Sequence, residues 1–254
     1  MWKGVLKFQD VRVPVKLHSA VEERSVHFRL LHRKDQAPVR QAMVNTHTDE
    51  IVPREKIRKA FVTAEGDLVV LGEEELERIR PQASRDIRIL HFLPDRAIDH
   101  RWYVRPYWLS PDAGAAGHYA ALAAALEQSG REGLAHWVMR KKEYAGALRS
   151  ADGYLMLITL RQAGQVVSAQ DLEAPDGPEL APKEIDMARR LMDMLADDFD
   201  PTEYRDEYRA RVNEMIEQKA SGGRVKTRKA PKRRPTRDLS AALEASLKEE
   251  RKRA

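Results

Sequence analysis

Apolar and polar residues alternate with a period of two in two segments near the N-terminus of this 254-residue chain. The apolar positions of the two series are Val11, Val13, Val15 and Leu17, followed by Val26, Phe28 and Leu30. Because this period puts alternate side chains on opposite faces of a β-strand, it predicts two half-buried strands. Further apolar segments predict strands at residues 68–71, 87–93, 102–109, 134–139 and 154–160. The last segment, YLMLITL, is nearly all apolar and predicts a central strand of a sheet or barrel.

Helical segments interrupt and follow these strands. Residues 73–80 and 118–129 are predicted helices, and the second ends at Gly130; residues 114–117 are interpreted as a turn into it. After a linker at residues 172–182, apolar residues recur at the helical period, at Ile185, Ala188, Leu191, Met192 and Leu195. A second helix is predicted with Asp200 as its N-cap and Pro201 in its first position. The N-terminal part is therefore predicted as a mixed β/α domain with an antiparallel sheet, followed by a helical arm.

Apolar stripes on the arm suggest a contact with another chain. The predicted partner contacts of the arm are Leu191, Leu195, Tyr204, Tyr208, Val212 and Ile216, although packing within the same chain explains the stripe equally well. Residues 238–252 form a short amphipathic pattern whose apolar positions are Leu239, Leu243 and Leu247. Such a helix is marginal alone in water. It is interpreted as a docking peptide, with a frayed and solvated helix as the alternative.

Positive charge is concentrated at the C-terminal end of the chain. Residues 219–254 contain 13 basic and 4 acidic residues, a net charge of +9, whereas residues 1–218 contain 32 and 36, a net charge of −4. Residues 224–237 contain two prolines and no acid, which predicts a disordered segment that binds polyanions. Its predicted DNA-binding residues are Arg224, Lys226, Arg228, Lys229, Lys232, Arg233, Arg234 and Arg237. The alternatives are a solubilising tail and an acidic membrane surface as the target.

The sequence contains none of the familiar catalytic motifs. The chain has no cysteine, which excludes disulfides, thiolate nucleophiles and cysteine-ligated zinc. It has no nucleophile elbow and no phosphate-binding loop. The acidic residues between 197 and 207 are interpreted as helix caps rather than as a metal site, although a nuclease built on them remains an alternative. We therefore expect no catalytic residue, no metal and no cofactor. The absence of a signal peptide and of an apolar span predicts a cytoplasmic, nucleoid-associated protein.

Basic residues also cluster within the part of the chain that is predicted to fold. The predicted DNA-binding residues there are Arg33, Lys34, Arg40, Arg54, Lys56, Arg58, Lys59, Arg140, Lys141 and Lys142. Lysine and arginine contacts to phosphates give affinity and position without reading the base sequence. The alternative is a solvated surface that nearby acids, such as Glu50 and Glu55, neutralise.

An ordered set of short segments identifies a family resemblance. The segments are Trp2 with Gly4, Val13-Pro14-Val15-Lys16-Leu17, His32-Arg33-Lys34-Asp35, Arg105-Pro106-Tyr107, Ser110-Pro111-Asp112, Asp198-Phe199-Asp200-Pro201 and Tyr204-Arg205-Asp206-Glu207-Tyr208. In this order and spacing they resemble the bacterial Ku proteins of DNA non-homologous end joining. The resemblance extends from residue 1 to about residue 219, and a basic C-terminal extension is common in that family.

The resemblance implies a Ku-type β-barrel core with a bridge segment at residues 1–171, a helical dimerisation arm at 172–218 and a basic tail at 219–254. It further implies a ring-shaped homodimer that threads onto double-stranded DNA ends and recruits an ATP-dependent multifunctional DNA ligase. Residues 33–59 would belong to the bridge, and residues 140–142 would face the channel. The main alternative function is a general chromosome-coating protein that binds DNA through its tail.

Two segments depart from the family pattern. Some relatives carry two cysteines where this chain has Asn45-Thr46-His47-Thr48, so no metal is expected there. The segment after Gly4 reads Val-Leu-Lys-Phe-Gln-Asp rather than the more usual Ile-Ser-Phe-Gly-Leu-Val. Its alternation nevertheless still predicts a strand.

Overall fold

A computed structural model describes residues 2–112, 114–173 and 181–222 of the chain. The strands are β1 Trp2–Phe8, β2 Val11–Ser19, β3 Lys59–Val62, β4 Leu68–Leu71, β5 Asp86–Pro94, β6 Tyr103–Pro111, β7 Arg131–Met139, β8 Lys142–Ala151 and β9 Tyr154–Leu160. The α-helices are α1 Glu73–Arg78, α2 Ala116–Ser129, α3 Pro182–Met194 and α4 Glu207–Ala220. The chain divides into two compact units, and the first comprises residues 1–24 and 28–171.

Seven strands of the first unit close into a barrel in the order β1-β2-β6-β9-β8-β7-β5. Neighbouring strands are antiparallel, except that β1 and β5 run parallel where the barrel closes. Closure gives every strand two hydrogen-bonded neighbours and leaves no sheet edge for another chain to extend. The predicted mixed β/α fold with a barrel core is confirmed.

The barrel core follows the alternation that the sequence predicts. On β2, Val13, Val15 and Leu17 are buried, and Leu6 shows that the strand after Gly4 keeps its inward face. Helix α2 packs against β7 and β8. Its Tyr119 Oη donates to the Leu109 carbonyl at 2.7 Å and accepts from the Leu155 amide at 2.8 Å. One buried side chain therefore joins the helix to two strands, and burial raises the pKa of its phenol.

Most predicted elements of the first unit form close to the expected positions. The strands predicted at 11–17, 68–71, 87–93, 134–139 and 154–160 are present, and β6 begins at Tyr103 because residues 100–102 form a 3-10 turn. Helix α1 ends at Arg78, two residues before the predicted end. Helix α2 begins at Ala116 and ends at Ser129, and its cap Gly130 has a φ of +58°, the left-handed conformation that glycine adopts readily.

The strand predicted at residues 26–30 is wrong. No strand occurs there, and Phe28 and Leu30 are each 63% exposed. An alternating segment forms a strand only where a neighbouring strand completes its hydrogen-bond ladder. The residues that follow this segment form just one isolated bridge, between Leu31 and Pro38. Sequence analysis also missed β3 and β8. Strand β8 contains the small residues Ala145-Gly146-Ala147, which lack the β-branched and aromatic side chains typical of strands.

We call residues 28–85, which connect β2 to β5, the insert. The insert contributes no strand to the barrel. It contains two short hairpins, closed by the bridges Leu31–Pro38 and Val44–Ile51, then a 3-10 turn at Arg54–Lys56, the two-stranded sheet β3-β4 and helix α1. The resemblance implies a bridge segment at residues 33–59 of the insert, and this assignment stays a prediction.

Helices α3 and α4 belong to the second unit, which comprises residues 25–27 and the chain from residue 172. Helix α3 is confirmed, and the Glu184 carboxylate accepts from the Ala181 amide at its start. The predicted start of the next helix at Asp200 and Pro201 is wrong. Asp200 instead accepts from the Thr202 amide at 2.8 Å in a local turn, and Asp206 caps α4. Tyr204 therefore precedes the helix, and the helical part of the stripe begins at Tyr208.

Candidate nucleic-acid interface

Seven of the predicted DNA-binding residues lie on the insert, and all seven are exposed. They are Arg33, Lys34, Arg40, Arg54, Lys56, Arg58 and Lys59. In the part of the chain that the structure describes, none of them lies within 4.0 Å of a carboxylate oxygen. Glu50 and Glu55 therefore do not neutralise them through ion pairs. The insert presents free positive charge to solvent.

The first hairpin of the insert presents Arg33 and Lys34 at its tip. Its backbone is closed by hydrogen bonds from the His32 amide to the Ala37 carbonyl (2.8 Å) and from the Gln36 amide to the His32 carbonyl (2.9 Å). His32 Nδ1 also lies 2.6 Å from Asp35 Oδ1. The Ala37 amide, followed by His32, holds the pKa of Asp35 below its usual range. The tip loop is thus fixed by its own contacts, while its two cations remain available.

The second hairpin contains Asn45-Thr46-His47-Thr48, the segment where no metal is expected. Here the Asn45 side-chain oxygen accepts from the His47 amide at 2.9 Å, and the Asn45 amide donates to the Glu50 carbonyl at 2.9 Å. Backbone amides and the Asn45 side chain therefore shape this turn. Among the described residues, no three histidine, aspartate or glutamate side chains are grouped to hold a metal ion.

Four of the seven insert cations line one hollow with a volume of about 1460 Å³. They are Arg40, Arg54, Arg58 and Lys59. The hollow is also lined by three glutamates and by apolar residues, which include Glu55, Glu73, Glu75, Met43, Ile51, Ile57 and Leu71. The 3-10 turn at Arg54–Lys56 and the first residue of β3 put three of these cations within six residues of chain. Arg33, Lys34 and Lys56 are not among the lining residues.

The other predicted cluster forms the turn between β7 and β8. Met139 pairs with Lys142 at the end of the ladder, which leaves Arg140 and Lys141 as the two turn residues. Both have left-handed backbone conformations, with φ of 51° and 64°. Two consecutive residues of this kind make the type I′ turn that suits the twist of a hairpin.

An acidic residue that was not predicted from the sequence binds this turn. Lys141 Nζ lies 2.7 Å from Glu77 Oε1 on helix α1, and Glu77 also pairs with Arg80. The hydrogen bond from Lys141 is the largest cause of the lowered pKa of Glu77. Among the ten predicted cations of the folded part, Lys141 alone has an ion-pair partner in the described residues. Since 64 residues separate the two, no local sequence pattern could have revealed the pair.

A buried charge cluster was also not predicted from the sequence. Glu132 is fully buried, and its Oε2 atom accepts from Arg149 Nε at 2.6 Å and from Tyr103 Oη at 3.2 Å. Arg149 also donates to Tyr103 Oη, and its guanidinium carbon lies 4.8 Å from the centre of the tyrosine ring. Burial is the largest cause that raises the pKa of Tyr103 to about 12. These contacts join β6, β7 and β8.

The predicted partner contacts of the arm differ in exposure. Leu195, Tyr204, Tyr208 and Ile216 are 61%, 74%, 68% and 43% exposed, and Leu191 is half-buried. Val212 is only 5% exposed, so its own chain already covers it. Leu239, Leu243, Leu247 and the eight cations of residues 224–237 lie outside the described residues. No helix in the described ranges is both long and apolar enough to cross a bilayer.

Comparisons with known proteins bear on what this surface does. A family model described as the Ku70/Ku80 beta-barrel domain matches residues 7–187. The non-homologous end joining protein Ku 2 of Geotalea uraniireducens (strain Rf4) is 35% identical over 250 residues, which are 98% of this chain and 97% of that protein. The non-homologous end joining protein Ku of Solibacter usitatus is 32% identical, covering 98% of this chain and 92% of the relative. The protein of the same name from Mycobacterium tuberculosis (strain H37Rv) is 30% identical, covering 98% and 94%.

Proposed function

Because the chain belongs to the Ku family, we propose that it binds the ends of broken double-stranded DNA in non-homologous end joining. It does so without catalysis and without reading the base sequence. The relatives that match it over nearly their whole length carry non-homologous end joining in their names. The site supports this function because its described residues provide exposed cations, carried on turns, that can contact phosphates. They do not provide an activated nucleophile for catalysis.

The observation that carries the proposal is the set of seven insert cations that have no carboxylate partner among the described residues. A cation that is already paired gains less from a phosphate, because breaking the existing pair costs part of the gain, about 0.2–1 kcal/mol for an exposed pair. An exposed and unpaired cation has no such pair to break and releases the counterions of the DNA when it binds. The four cations around the hollow form the densest part of this surface, so we place the phosphate backbone there.

A ring explains how a chain whose first 218 residues carry a net charge of −4 can hold DNA. Two copies form a homodimer through the arm, where Leu195, Tyr204, Tyr208 and Ile216 expose apolar surface that a partner would cover. Cations inside such a ring can coexist with an acidic exterior. The ring threads onto a duplex only from an end, so topology supplies the specificity that base contacts would otherwise give.

The basic tail and the terminal amphipathic segment complete the proposed function. Residues 224–237 add phosphate contacts beyond the ring and keep the complex with the nucleoid. Leu239, Leu243 and Leu247 dock in a groove of the joining enzyme, an ATP-dependent multifunctional DNA ligase. The main competing function, a chromosome-coating protein, rests on the tail alone and gives the insert cations no role.

Neutralising the hollow tests this proposal. The double variant Arg54→Gln/Arg58→Gln should bind a linear duplex more weakly, and its plot of log K against log salt should be shallower by about 0.9 for each phosphate that the variant no longer neutralises. Arg78→Gln is the matched control, because this arginine lies on the same insert but pairs with Glu74 at 3.8 Å and does not line the hollow. Equal affinity and equal slope for the double variant and the wild type would contradict a DNA-binding insert.

A further inference from the structure

The turn between β7 and β8 carries residue types that are unusual for its backbone conformation. Arg140 and Lys141 have φ of 51° and 64°, a region where Cβ crowds the following carbonyl. Type I′ turns strongly favour asparagine, aspartate and glycine at these two positions. Non-glycine residues in such conformations persist where the surroundings hold them and where a function needs them. Two long cations at this position therefore point to a role for their charge.

Glu77 already binds one of these two cations. Its Oε1 atom lies 2.7 Å from Lys141 Nζ, and the side chains of Glu77 and Lys141 are 50% and 63% exposed. An ion pair with this exposure is weak, because water screens it and both long side chains lose freedom. The pair holds Lys141 in place but breaks readily when another anion competes for the ammonium group.

A DNA phosphate is such a competitor. A lysine ammonium group binds oxyanions as a point charge, so a carboxylate and a phosphate can occupy the same place. Arg140 and Lys142 flank Lys141, and in the described part of the chain neither is within 4.0 Å of a carboxylate. A phosphate that displaces Glu77 would therefore meet three adjacent cations, whereas Glu77 meets one of them.

We propose that Glu77 occupies the place of a DNA phosphate at Lys141 in the free protein and that duplex binding exchanges the carboxylate for the phosphate. This inference rests on the proposed function. Glu77 therefore lowers the affinity of the turn for any duplex, because a phosphate must displace its carboxylate from Lys141. A lower affinity of the turn for phosphates lets the ring move along DNA rather than stay where it first binds.

Four variants of the full-length chain test the exchange by their affinity for a linear duplex with free ends at about 0.15 M salt. Glu77→Gln should bind about 1.4- to 5-fold more tightly than wild type, the range expected when an exposed ion pair no longer competes. Glu74→Gln removes one negative charge from the same helix without touching Lys141, and its affinity should match that of the wild type.

Lys141→Gly removes the charge of Lys141 from the turn and keeps the turn's backbone conformation. Glycine suits the left-handed conformation, so the melting temperature should be equal or higher, while binding weakens and the salt slope falls by about 0.9. In the Lys141→Gly background, Glu77→Gln should no longer tighten binding.

Two results would overturn the exchange while leaving the proposed function intact. One is a Glu77→Gln variant that binds no more tightly than wild type, which would make the pair a structural tie between insert and barrel. The other is equal tightening with and without Lys141, which would make Glu77 a general repulsive charge. A wild-type chain that failed to bind the duplex would instead contradict both the exchange and the proposed function.

Discussion

Glu132 is fully buried, and its Oε2 atom accepts a hydrogen bond from Arg149 Nε at 2.6 Å. The side chain of Arg149 is 26% exposed, so the pair lies at the boundary between the packed barrel and solvent. A buried carboxylate depends on its partner, because an unpaired charge inside a protein is costly. The pair therefore fixes how β7, β8 and the start of β6 fit together.

Replacing Glu132 by glutamine should destabilise the barrel. The amide retains the size of the side chain but removes the buried anion of Arg149 and leaves only Asp95, whose Oδ1 lies 3.9 Å from Nη2, at a cost of about 3 kcal/mol. Urea unfolding of the variant and the wild type measures the difference. Glu74→Gln on the exposed helix α1 is the control and should change stability by less than about 0.5 kcal/mol. A Glu132→Gln variant as stable as its control would show that the buried pair contributes nothing.

Adding one methyl group at Gly146 should also destabilise the barrel. A Cβ there would lie 2.6 Å from Cζ3 of Trp137 and 2.7 Å from the Ile158 carbonyl oxygen. The neighbouring strand cannot move aside in a closed barrel, so Gly146→Ala should cost about 1–3 kcal/mol. Gly164→Ala, where no atom lies within 4 Å of the new Cβ, should leave the unfolding midpoint nearly unchanged. Equal midpoints for the two variants would rule out this close packing.

Tyr103 should make stability depend on pH in the alkaline range. Its pKa is raised from 10.0 to about 12, so the folded state holds the phenol proton more tightly than the unfolded state does. The resulting stabilisation is fully present below pH 10 and disappears as the pH rises through about 12. Stability measured from about pH 9 to 12 should therefore fall more steeply in the wild type than in Tyr103→Phe. Parallel curves would show that Tyr103 has its ordinary pKa in the folded protein.

The basic tail should contribute salt-dependent DNA affinity. A chain that ends at Gln218 lacks the eight cations of residues 224–237, and its slope of log K against log salt should fall by about 0.9 for each phosphate that the tail would otherwise neutralise. The matched control is the triple variant Leu239→Ala/Leu243→Ala/Leu247→Ala, which keeps every tail cation and should keep the slope while ligase recruitment fails. An unchanged slope in the truncated chain would exclude the tail from DNA binding.

The sequence predicts the barrel well where one face of a strand is buried. Val13, Val15 and Leu17 alternate and are buried, whereas the similar alternation of Val26, Phe28 and Leu30 belongs to a segment without a neighbouring strand. The pattern reports which faces could be buried, and only the topology decides whether a ladder partner exists. Strand β8 shows the converse. The Trp137 ring leaves no room for a side chain at Gly146, and glycine has a low strand propensity, so the sequence does not indicate this strand.

The sequence predicts which basic residues cluster in the candidate site, but it does not predict which of them form ion pairs. Clusters such as Arg33-Lys34 and the residues around Arg54 are visible as runs of basic residues, and the structure leaves them unpaired within the described ranges. The contacts of Lys141 with Glu77 and of Arg149 with Glu132 depend on distant segments that meet only after folding. Helix capping was ambiguous for a local reason, since Asp200 and Asp206 are both suitable caps and a turn at Thr202 engages the first.

The most direct test of end binding compares three forms of one duplex at about 0.15 M salt: linear with free ends, linear with bulky blocks on both ends, and covalently closed. A ring that threads onto DNA should bind only the form with free ends, because the other two offer no entry. Equal binding to all three forms would contradict threading and would favour a protein that coats DNA through its basic tail.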